Sequence, residues 1–406
     1  MKYFKNTELA KLYKVSEKTV RNWVQAAQES KLDLQLFDHK GKQFIANTSK
    51  NTSLIEAQVE KGKKFKNRRG FRVVSPTKEF YKLYSQKQIL DIISNLTIHR
   101  EIPTQYSYAD GGAKYWDEYA NRLHAESAPN ILNQSIELLD ATSDNTNHLV
   151  DGHKLINVVD LGPGNGLPIR STLTRLLEQG RLKRYIAIDG SKEMLQILEQ
   201  NIKLWFGGAV RFESYVRDFS YERFDDLLAD DYIGDMADAP ANLVFLLGNT
   251  LNNFRSTDQV LQTINNSLGV DDLFLYSCYL DTPNTRRYFD FHTSRLDQKF
   301  RSELTLGFLG IDESLYRIEQ VFNEEKQARL VSFVPKVDLS IKFELANGAR
   351  IVEIRKNEPI LIWRGRHKNS VETLNQFDKN DFGLMQATKS KDQQYLLLIS
   401  RIKTNV

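Results

Sequence analysis

The sequence predicts an α/β protein built on a doubly wound, mostly parallel sheet, with a small winged helix-turn-helix in front of it. From residue 154 onward, apolar strand patterns alternate with amphipathic helical patterns, as in sheets whose parallel strands are joined by helices. The first of these strands runs into a glycine-rich turn, whereas residues 1–48 are typical of two short helices and a hairpin. With 406 residues, of which 41% are hydrophobic, the chain is long enough for two domains.

The N-terminal module, residues 1–48, is expected to be basic. Residues 1–72 hold 17 Lys and Arg against 7 Asp and Glu, so this part carries +10 and the rest of the chain carries −6. Two helices are predicted over "NTELAKLYKV" and "SEKTVRNWVQAAQES", with Ser16 as the cap of the second, and a hairpin over "LQLFDHKGKQFIA". The expected shared core is formed by Leu9, Leu12, Val15, Val20 and Trp23. The stretch resembles the winged helix-turn-helix of the MerR and excisionase type.

In modules of this kind the second helix enters the major groove of DNA. Arg21 and Asn22 on its polar face are expected to reach base edges, while Lys18 and the hairpin residues Lys40 and Lys42 are expected to meet phosphates. The alternative, that this basic domain docks on protein, stays open.

Two segments separate this module from the core. Residues 49–77 are expected to form a basic linker that contains a possible helix, "LIEAQVEKGKK", and ends in "KKFKNRRGFR", a stretch suited to a phosphate backbone or simply solvated. Residues 78–150 are expected to form a helical lead-in to the larger domain. Long amphipathic helices are predicted there over "KEFYKLYSQKQILDIISNL" and "KYWDEYANRLHAESAPNILNQSIELLDAT".

Residues 151–406 are expected to form the core with a β-rich C-terminal flap. Five strands are predicted for the sheet, in "LINVVDLG", "RYIAIDG", "AVRFESYVRD", "ANLVFLLGN" and "DDLFLYSCYL". Five more are predicted after residue 312, in "RLVSFVP", "DLSIKFEL", "ARIVEIRK", "PILIWRG" and "QYLLLISR". The last strands should complete the sheet and the others should form the flap over its end.

The turn in "INVVDLGPGNG" indicates which ligand the sheet binds. Gly162, Gly164 and Gly166 follow the spacing G-x-G-x-G, whereas dinucleotide folds use G-x-G-x-x-G with a pyrophosphate at the helix N-terminus. With Asp160 at the end of the strand, the loop favours a ligand that has no phosphate but carries an amino-acid moiety and a sulfonium. That ligand is S-adenosylmethionine (SAM).

Two further acids follow at successive strand ends. Asp189 closes "YIAIDGS" and is expected to accept from both ribose hydroxyls, and Asp218 in "YVRDFS" is expected at the adenine amino group. Either acid alone is typical of a helix cap or a loop. Because the two acids follow the glycine loop at successive strand ends, the loop and the acids together are expected to contact three parts of one ligand at the carboxyl edge of the sheet.

The composition excludes several other classes of protein. The single cysteine, Cys278, lies in an apolar strand and is expected to be a packed core thiol, so no disulfide framework and no metal site are predicted. No apolar run approaches the roughly 20 residues of a bilayer span and no secretory signal is recognised, so no membrane partner and a cytoplasmic location are expected.

The fourth strand end, "LVFLLGNTLNNF", carries a family resemblance. Together with "LGPGNG" and "YSYADGGAKYWDEYA", it resembles the histidine-specific methyltransferases that make Nα-trimethylhistidine, enzymes of the class I Rossmann-like methyltransferase fold. Gly248, Thr250, Asn253 and Phe254 keep the family pattern. The resemblance implies that Gly248 belongs to the cofactor site, that Asn253 holds the α-amino group of the substrate, and that Tyr108 lies beside the active site.

The resemblance covers about residues 100–403 and departs from the family in "WRGRHKNS". Arg364 and Arg366 stand where the family has the Glu and Ser that contact the imidazole, although a shifted alignment through Glu353 stays open. Two guanidiniums at i and i+2 of a strand point to the same face, where they are expected to bind a substrate carboxylate or phosphate, unless they form a solvated strand end. His367 is expected to have a surface role.

The expected function is SAM-dependent N-methylation of a small amino-acid-like substrate. Transfer to nitrogen needs positioning more than a covalent catalyst, so no catalytic residue is assigned. One alternative is a ligand-sensing DNA-binding regulator that uses a methyltransferase-like domain. A nucleic-acid methyltransferase is less favoured, since enzymes that methylate base amino groups carry D/N-P-P-Y/F where this chain has "GNTLNNF".

Overall fold

The computed structural model describes residues 3–67, 70–108, 111–232, 239–288 and 297–404. The chain divides into two compact units, residues 1–72 and residues 73–406.

The smaller unit combines three helices with a small sheet. The helices are α1 (Asn6–Leu12), α2 (Glu17–Gln28) and α3 (Ser49–Asn67), and the strands β1 (Tyr3–Phe4), β2 (Leu36–His39) and β3 (Lys42–Ala46) lie in the order β1-β3-β2. The side chain of Ser16 caps α2 by accepting from the backbone N–H of Thr19 at 3.1 Å, as expected.

The core of this unit differs from the expected one in two ways. Leu9 and Val20 are completely buried, but Leu12, the last residue of α1, is 63% exposed. Helix α3 occupies most of the segment expected as a linker, and its Ile55 and Val59 pack into the same core. Arg68 and Arg69 of the expected basic stretch lie outside the described residues.

The larger unit is built on a seven-stranded sheet. Its strands are β5 (Ile156–Leu161), β6 (Leu182–Asp189), β7 (Phe212–Val216), β8 (Ala241–Leu246), β9 (Leu273–Tyr279), β15 (Phe382–Lys389) and β16 (Tyr395–Ile402), in the order β15-β16-β9-β8-β5-β6-β7. The pairings among β5 to β9 are parallel, and β16 pairs antiparallel with both β9 and β15. The predicted mostly parallel sheet is therefore confirmed, and "QYLLLISR" completes it.

Helices cover both faces of this sheet, because every strand of its centre is apolar on both sides. Val158 of β5 packs in a core with α9 (Arg170–Glu178) and α10 (Lys192–Phe206). Its neighbour Val159 faces the opposite core, with α11 (Thr257–Asn265) and α14 (Ser370–Lys379). The sheet is therefore doubly wound, as predicted.

The remaining strands form two smaller sheets over a third core. They are β4 (Arg72–Val74), β10 (Tyr316–Asn323), β11 (Ala328–Pro335), β12 (Leu339–Leu345), β13 (Gly348–Ile354) and β14 (Ile360–Arg366), ordered β10-β11-β14 and β13-β12-β4. Their buried residues pack with α4 (Lys78–Leu83) and α5 (Gln86–Ser94). Strands β1, β4, β10 and β15 were not predicted from the sequence.

The two long helices predicted for the lead-in are wrong, since each is broken. Tyr84 is extended and Ser85 caps α5 with a capping box, which ends α4. The second pattern divides into α6 (Gly112–Ala125) and α7 (Ile131–Ala141), because Pro129 cannot continue a helix and Asn130 caps the next one. The short helices α8 (Ser143–Leu149), α12 (Pro283–Tyr288) and α13 (Asp297–Phe308) complete the unit. Across the described ranges, no helix is both long and apolar enough to cross a membrane.

Candidate active site

A single cavity at the carboxyl edge of the seven-stranded sheet gathers the end of the glycine loop, two strand-end acids and part of the lead-in segment. Of the residues predicted from sequence for cofactor or substrate, it is lined by Tyr108, Gly162, Gly164, Asp189, Asp218 and Asn253. Asp160, Gly166, Gly248, Arg364 and Arg366 lie behind or beside these residues and do not line it.

The glycine loop needs its glycines for two different reasons. All three have positive φ, at 65° for Gly162, 56° for Gly164 and 83° for Gly166, where residues with a Cβ are strained. A Cβ on Gly166 would lie 2.4 Å from Cδ1 of Leu198, so this glycine permits close packing against α10. At Gly164 the nearest atom is Nε1 of Trp116, at 3.0 Å from such a Cβ. The loop is thus tight on the helix side and covered by an indole on the cavity side.

Asp189 and Asp218 present carboxylates to the cavity. Oδ1 of Asp189 accepts from the backbone N–H of Ser191 at 2.8 Å, which holds the carboxylate at the end of β6. Oδ1 of Asp218 accepts from the backbone N–H and the hydroxyl of Ser220, and its Oδ2 accepts from Nε2 of Gln105 at 3.2 Å. Burial raises the pKa of Asp189 to about 6 and also raises the pKa of Asp218.

Asp160 supports the loop from within the protein. It is 3% exposed, and its Oδ2 accepts from the hydroxyl of Tyr185 at 3.1 Å. Burial is the main reason that its pKa rises to about 7, and the hydrogen bond from Tyr185 opposes the rise. This carboxyl therefore faces a buried tyrosine rather than the cavity.

The turn after β8 brings Asn253 into the cavity. Gly248 donates its N–H to the hydroxyl oxygen of Ser277 at 3.0 Å, and Asn249 takes a left-handed conformation with φ at 67°. A single 3-10 turn, Thr250–Asn253, follows, and both of its end residues line the cavity together with Phe254. A left-handed residue reverses the chain here, which is why a conformationally tolerant asparagine fits.

The lead-in segment forms part of the wall of the cavity. Tyr108 and Trp116 both line it, and their rings meet edge to face with centroids 6.2 Å apart. Nδ2 of Asn165 donates to Oδ1 of Asp117 at 2.8 Å, which ties α6 to the glycine loop. The lead-in therefore belongs to the site and does not merely precede it.

The two arginines predicted for the substrate have internal partners. Arg364 forms an ion pair with Glu101, and both side chains are almost nine-tenths buried. Arg366 donates to the backbone oxygen of Phe254 and, at 2.6 Å, to that of Arg255. Sequence reasoning missed Glu101 and Arg255, although both line the cavity and Arg255 directly follows the family motif.

Two other predictions concern groups outside the cavity. The expected surface role of His367 is wrong: the side chain is completely buried near the rings of Tyr279 and Phe322, and burial lowers its pKa to about 4. Cys278 is a buried core thiol, as expected, and burial raises its pKa to about 12.

The residues predicted to bind DNA are all exposed on the smaller unit. Lys18, Arg21 and Asn22 lie on α2, and Lys40 and Lys42 lie at the β2–β3 turn. Within the part of the chain that the structure describes, no group of His, Cys, Asp and Glu could hold a metal ion.

The cavity has the chemistry that SAM requires. Two carboxylates can accept from ribose hydroxyls and an adenine amino group, and Gly162 and Gly164 line the same cavity, where their backbone can meet the amino-acid end. The cations among the described lining residues are Arg217 and Arg255. Arg217 is already bidentate on Asp226, at 2.6 and 2.9 Å.

Comparison with known proteins agrees with this fit. Residues 86–401 match the model of a family described as histidine-specific methyltransferases that depend on SAM. No curated protein matches the chain.

Several solved structures are similar at low identity. A SAM-dependent methyltransferase from Clostridium acetobutylicum ATCC 824 shares 10% identity with a TM-score of 0.37, covering 73% of this chain and 100% of that one. The CcbJ methyltransferase from Streptomyces caelestis shares 12% identity with a TM-score of 0.36, covering 71% and 98%. The 1,6-didemethyltoxoflavin-N1-methyltransferase from Burkholderia thailandensis, solved with 1,6-didemethyltoxoflavin and S-adenosylhomocysteine, shares 13% identity with a TM-score of 0.37, covering 81% and 94%.

Proposed function

Because this chain belongs to the family of histidine-specific, SAM-dependent methyltransferases, which its residues 86–401 match, we propose that it methylates the amino nitrogen of a small amino-acid-like molecule. Its activity as a SAM-dependent methyltransferase follows from that membership. The observation that carries the choice of acceptor is the position of Asn253, which lines the same cavity as Gly162, Gly164 and Asp189. An acceptor held by Asn253 therefore shares a cavity with the groups that hold the cofactor.

Each cofactor residue has a separate role in this proposal. Asp189 accepts from the ribose hydroxyls and Asp218 from the adenine amino group, after Gln105 gives up its hydrogen bond to Asp218. Gly162 and Gly164 bring backbone next to the amino-acid end. Asp160, Gly166 and Gly248 contribute from behind by fixing the shape of the loop and of the turn after β8.

The chemistry places few demands on the side chains. When bound, SAM supplies an electrophilic methyl group, so that the acceptor nitrogen forms a C–N bond as the C–S bond breaks and S-adenosylhomocysteine leaves. Asn253 orients the acceptor amine in line with that bond, and Tyr108 and Trp116 exclude water from above the loop. The amine must have lost its proton, which needs no assigned base if it binds in the neutral form.

Arg364 and Arg366 shape the substrate end without lining it. Arg364 holds Glu101 against β14, and Arg366 holds the backbone of Phe254 and Arg255. Their role in this proposal is to position the residues that meet the acceptor.

A second function is favoured for the smaller unit. Lys18, Arg21, Asn22, Lys40 and Lys42 are exposed together on a unit whose sequence carries +10, as DNA binding by a winged helix-turn-helix requires.

The test is methyl transfer from labelled SAM to free amino acids, histidine included, to their phosphorylated and dipeptide analogues, and to duplex DNA. Label in a small amine is the expected result, and Asn253→Ala should abolish it while leaving S-adenosylhomocysteine affinity unchanged. Asn266→Ala, an exposed position at the end of α11, is the matched control. Label in DNA, or cofactor binding without any transfer, would contradict the proposal.

A further inference from the structure

Part of the cavity lining is a small polar network. Asp91, Asn95, Glu101 and Arg255 line it. Asn95 connects them: its Nδ2 donates to the backbone oxygen of Asp91 at 2.9 Å, its backbone oxygen accepts from the N–H of Glu101 at 3.3 Å, and its Oδ1 accepts from Nη1 of Arg255 at 3.1 Å.

The charges of this network are compensated to different degrees. Glu101 is buried and paired with Arg364, and Asp91 accepts from the hydroxyl of Tyr106 at 2.8 Å. Arg255 has no carboxylate within ion-pair distance in the described ranges, and its Nη1 donates to the neutral amide of Asn95. Arg255 is therefore the cation of the cavity that is available to a ligand.

The position of Arg255 is fixed although its side chain is exposed. Arg366 donates to the backbone oxygens of both Phe254 and Arg255, which anchors the chain immediately after Asn253. Arg366 is itself held among buried groups, and burial lowers its pKa. A guanidinium that is exposed loses little hydration free energy on folding, and on an anchored backbone it offers a planar pair of donors to an anion.

We infer that Arg255 binds the carboxylate of the acceptor, two residues away from the asparagine that orients its amine. This inference rests on the proposed function, because it assigns a specificity-determining residue to the same site. Asn253 ends the 3-10 turn and Arg255 follows it across the extended Phe254. This spacing suits a molecule in which the amine and the carboxylate are close, as in an α-amino acid. Arg364 and Arg366, which the sequence pattern singled out, act as positioning residues for this recognition.

Wild type should prefer acceptors that carry a free carboxylate, and substitution of Arg255 should remove this preference. Pooled free amino acids and the pooled carboxamides of the same amino acids are offered with labelled SAM. Wild type should label the acid pool roughly 10- to 100-fold faster than the amide pool, from the usual strength of a charged hydrogen bond. In Arg255→Gln the acid pool should be labelled more slowly, so that the labelling rates of the two pools differ by no more than roughly threefold. The affinity for S-adenosylhomocysteine should not change. Arg350→Gln, exposed on β13, is the matched control.

A second measurement separates this inference from the proposed function. The acid pool should raise the melting temperature of the wild-type complex with S-adenosylhomocysteine, whereas the amide pool should not, and Arg255→Gln should respond to neither. If no pool is labelled but this pattern of shifts is seen, the proposed function fails and the role of Arg255 stands. A preference for acids that persists in Arg255→Gln, or a shift by acids that it retains, would overturn the inference.

Discussion

Asp189 is the residue whose substitution most directly tests the cofactor site. Its carboxylate lines the cavity at the end of β6 and is held there by the N–H of Ser191. Asp189→Ala should lower the affinity for S-adenosylhomocysteine by about 1–3 kcal/mol, the usual loss for a hydrogen bond to a charged group. Calorimetric titration measures this loss. Asp225→Ala, an acid paired with Arg223 outside the cavity, should bind as wild type does.

Asp160 should make stability depend on pH. Burial raises its pKa from 3.8 to about 7, so between these values the folded protein keeps a proton that the unfolded chain has released. The free energy of unfolding contributed by this group is therefore highest at low pH and falls as the pH rises from about 4 to about 7.

Asp160→Asn should remove that dependence while keeping an acceptor for the hydroxyl of Tyr185. Relative to wild type, the variant should gain stability on going from pH 5 to pH 8, by on the order of 1–4 kcal/mol, since one pKa unit corresponds to about 1.4 kcal/mol. Urea denaturation of the cofactor-free proteins at both pH values gives the comparison. An equal difference at pH 5 and pH 8 would mean that Asp160 ionises freely.

At the scale of elements, the glycine loop offers a matched pair of substitutions. Gly166→Ala combines a positive φ with a Cβ that meets Leu198, a completely buried side chain of α10 with little room to move. Gly180→Ala has a similar φ of 66° but nothing within 4 Å. The first should cost about 1–3 kcal/mol more than the second, the usual range for overpacking, in urea denaturation. Equal costs would mean that α10 yields to the extra methyl group.

The sequence predicts correctly those elements that depend on residues close together in the chain. Gly162 and Gly164 directly after a strand predict a tight turn. Asp189 and Asp218 follow parallel strands, whose carboxyl ends lie at the same edge of the sheet. The position of Arg364 is different, because its partner Glu101 comes from a distant segment and only the folded chain brings them together. The expected surface position of His367 was wrong for the same reason. Ionisable side chains are usually exposed, and only the packing of the folded chain shows that this one is buried.

Helix boundaries and edge strands were the weaker part of the prediction at this scale. The helical period continues through Tyr84 and Ser85, so only the capping geometry shows that α4 and α5 are separate. Strand β15 lies at the edge of the sheet with Leu384 and Met385 exposed, so it lacks the apolar run that marked its neighbours.

At the scale of the whole molecule, the two units should be separable by function. If the smaller unit binds DNA as proposed, replacing both Lys40 and Lys42 by Ala should weaken binding to random duplex DNA. The slope of log affinity against log salt should fall by about 2, since two phosphate contacts are lost. Fluorescence anisotropy at several salt concentrations measures the slope, and methyl transfer should not change.

A control for charge alone is available in the same chain. Lys389 and Lys391 are exposed near the turn between β15 and β16, so replacing both by Ala changes the net charge equally at another hairpin. This variant should keep the slope of wild type. Equal effects of the two double substitutions would assign DNA binding to overall charge rather than to the smaller unit.

The place of β16 within the sheet determines when the sheet can be completed during synthesis. This strand lies between β9 and β15, and its residues Leu396, Leu397, Leu398 and Ile399 are buried. While the ribosome makes residues 280–394, the outer edge of β9 has no partner from β16, and an apolar strand with open backbone groups invites intermolecular pairing. The nascent chain therefore passes through a stage in which β9 is open to intermolecular pairing, and this stage ends only when β16 has been made.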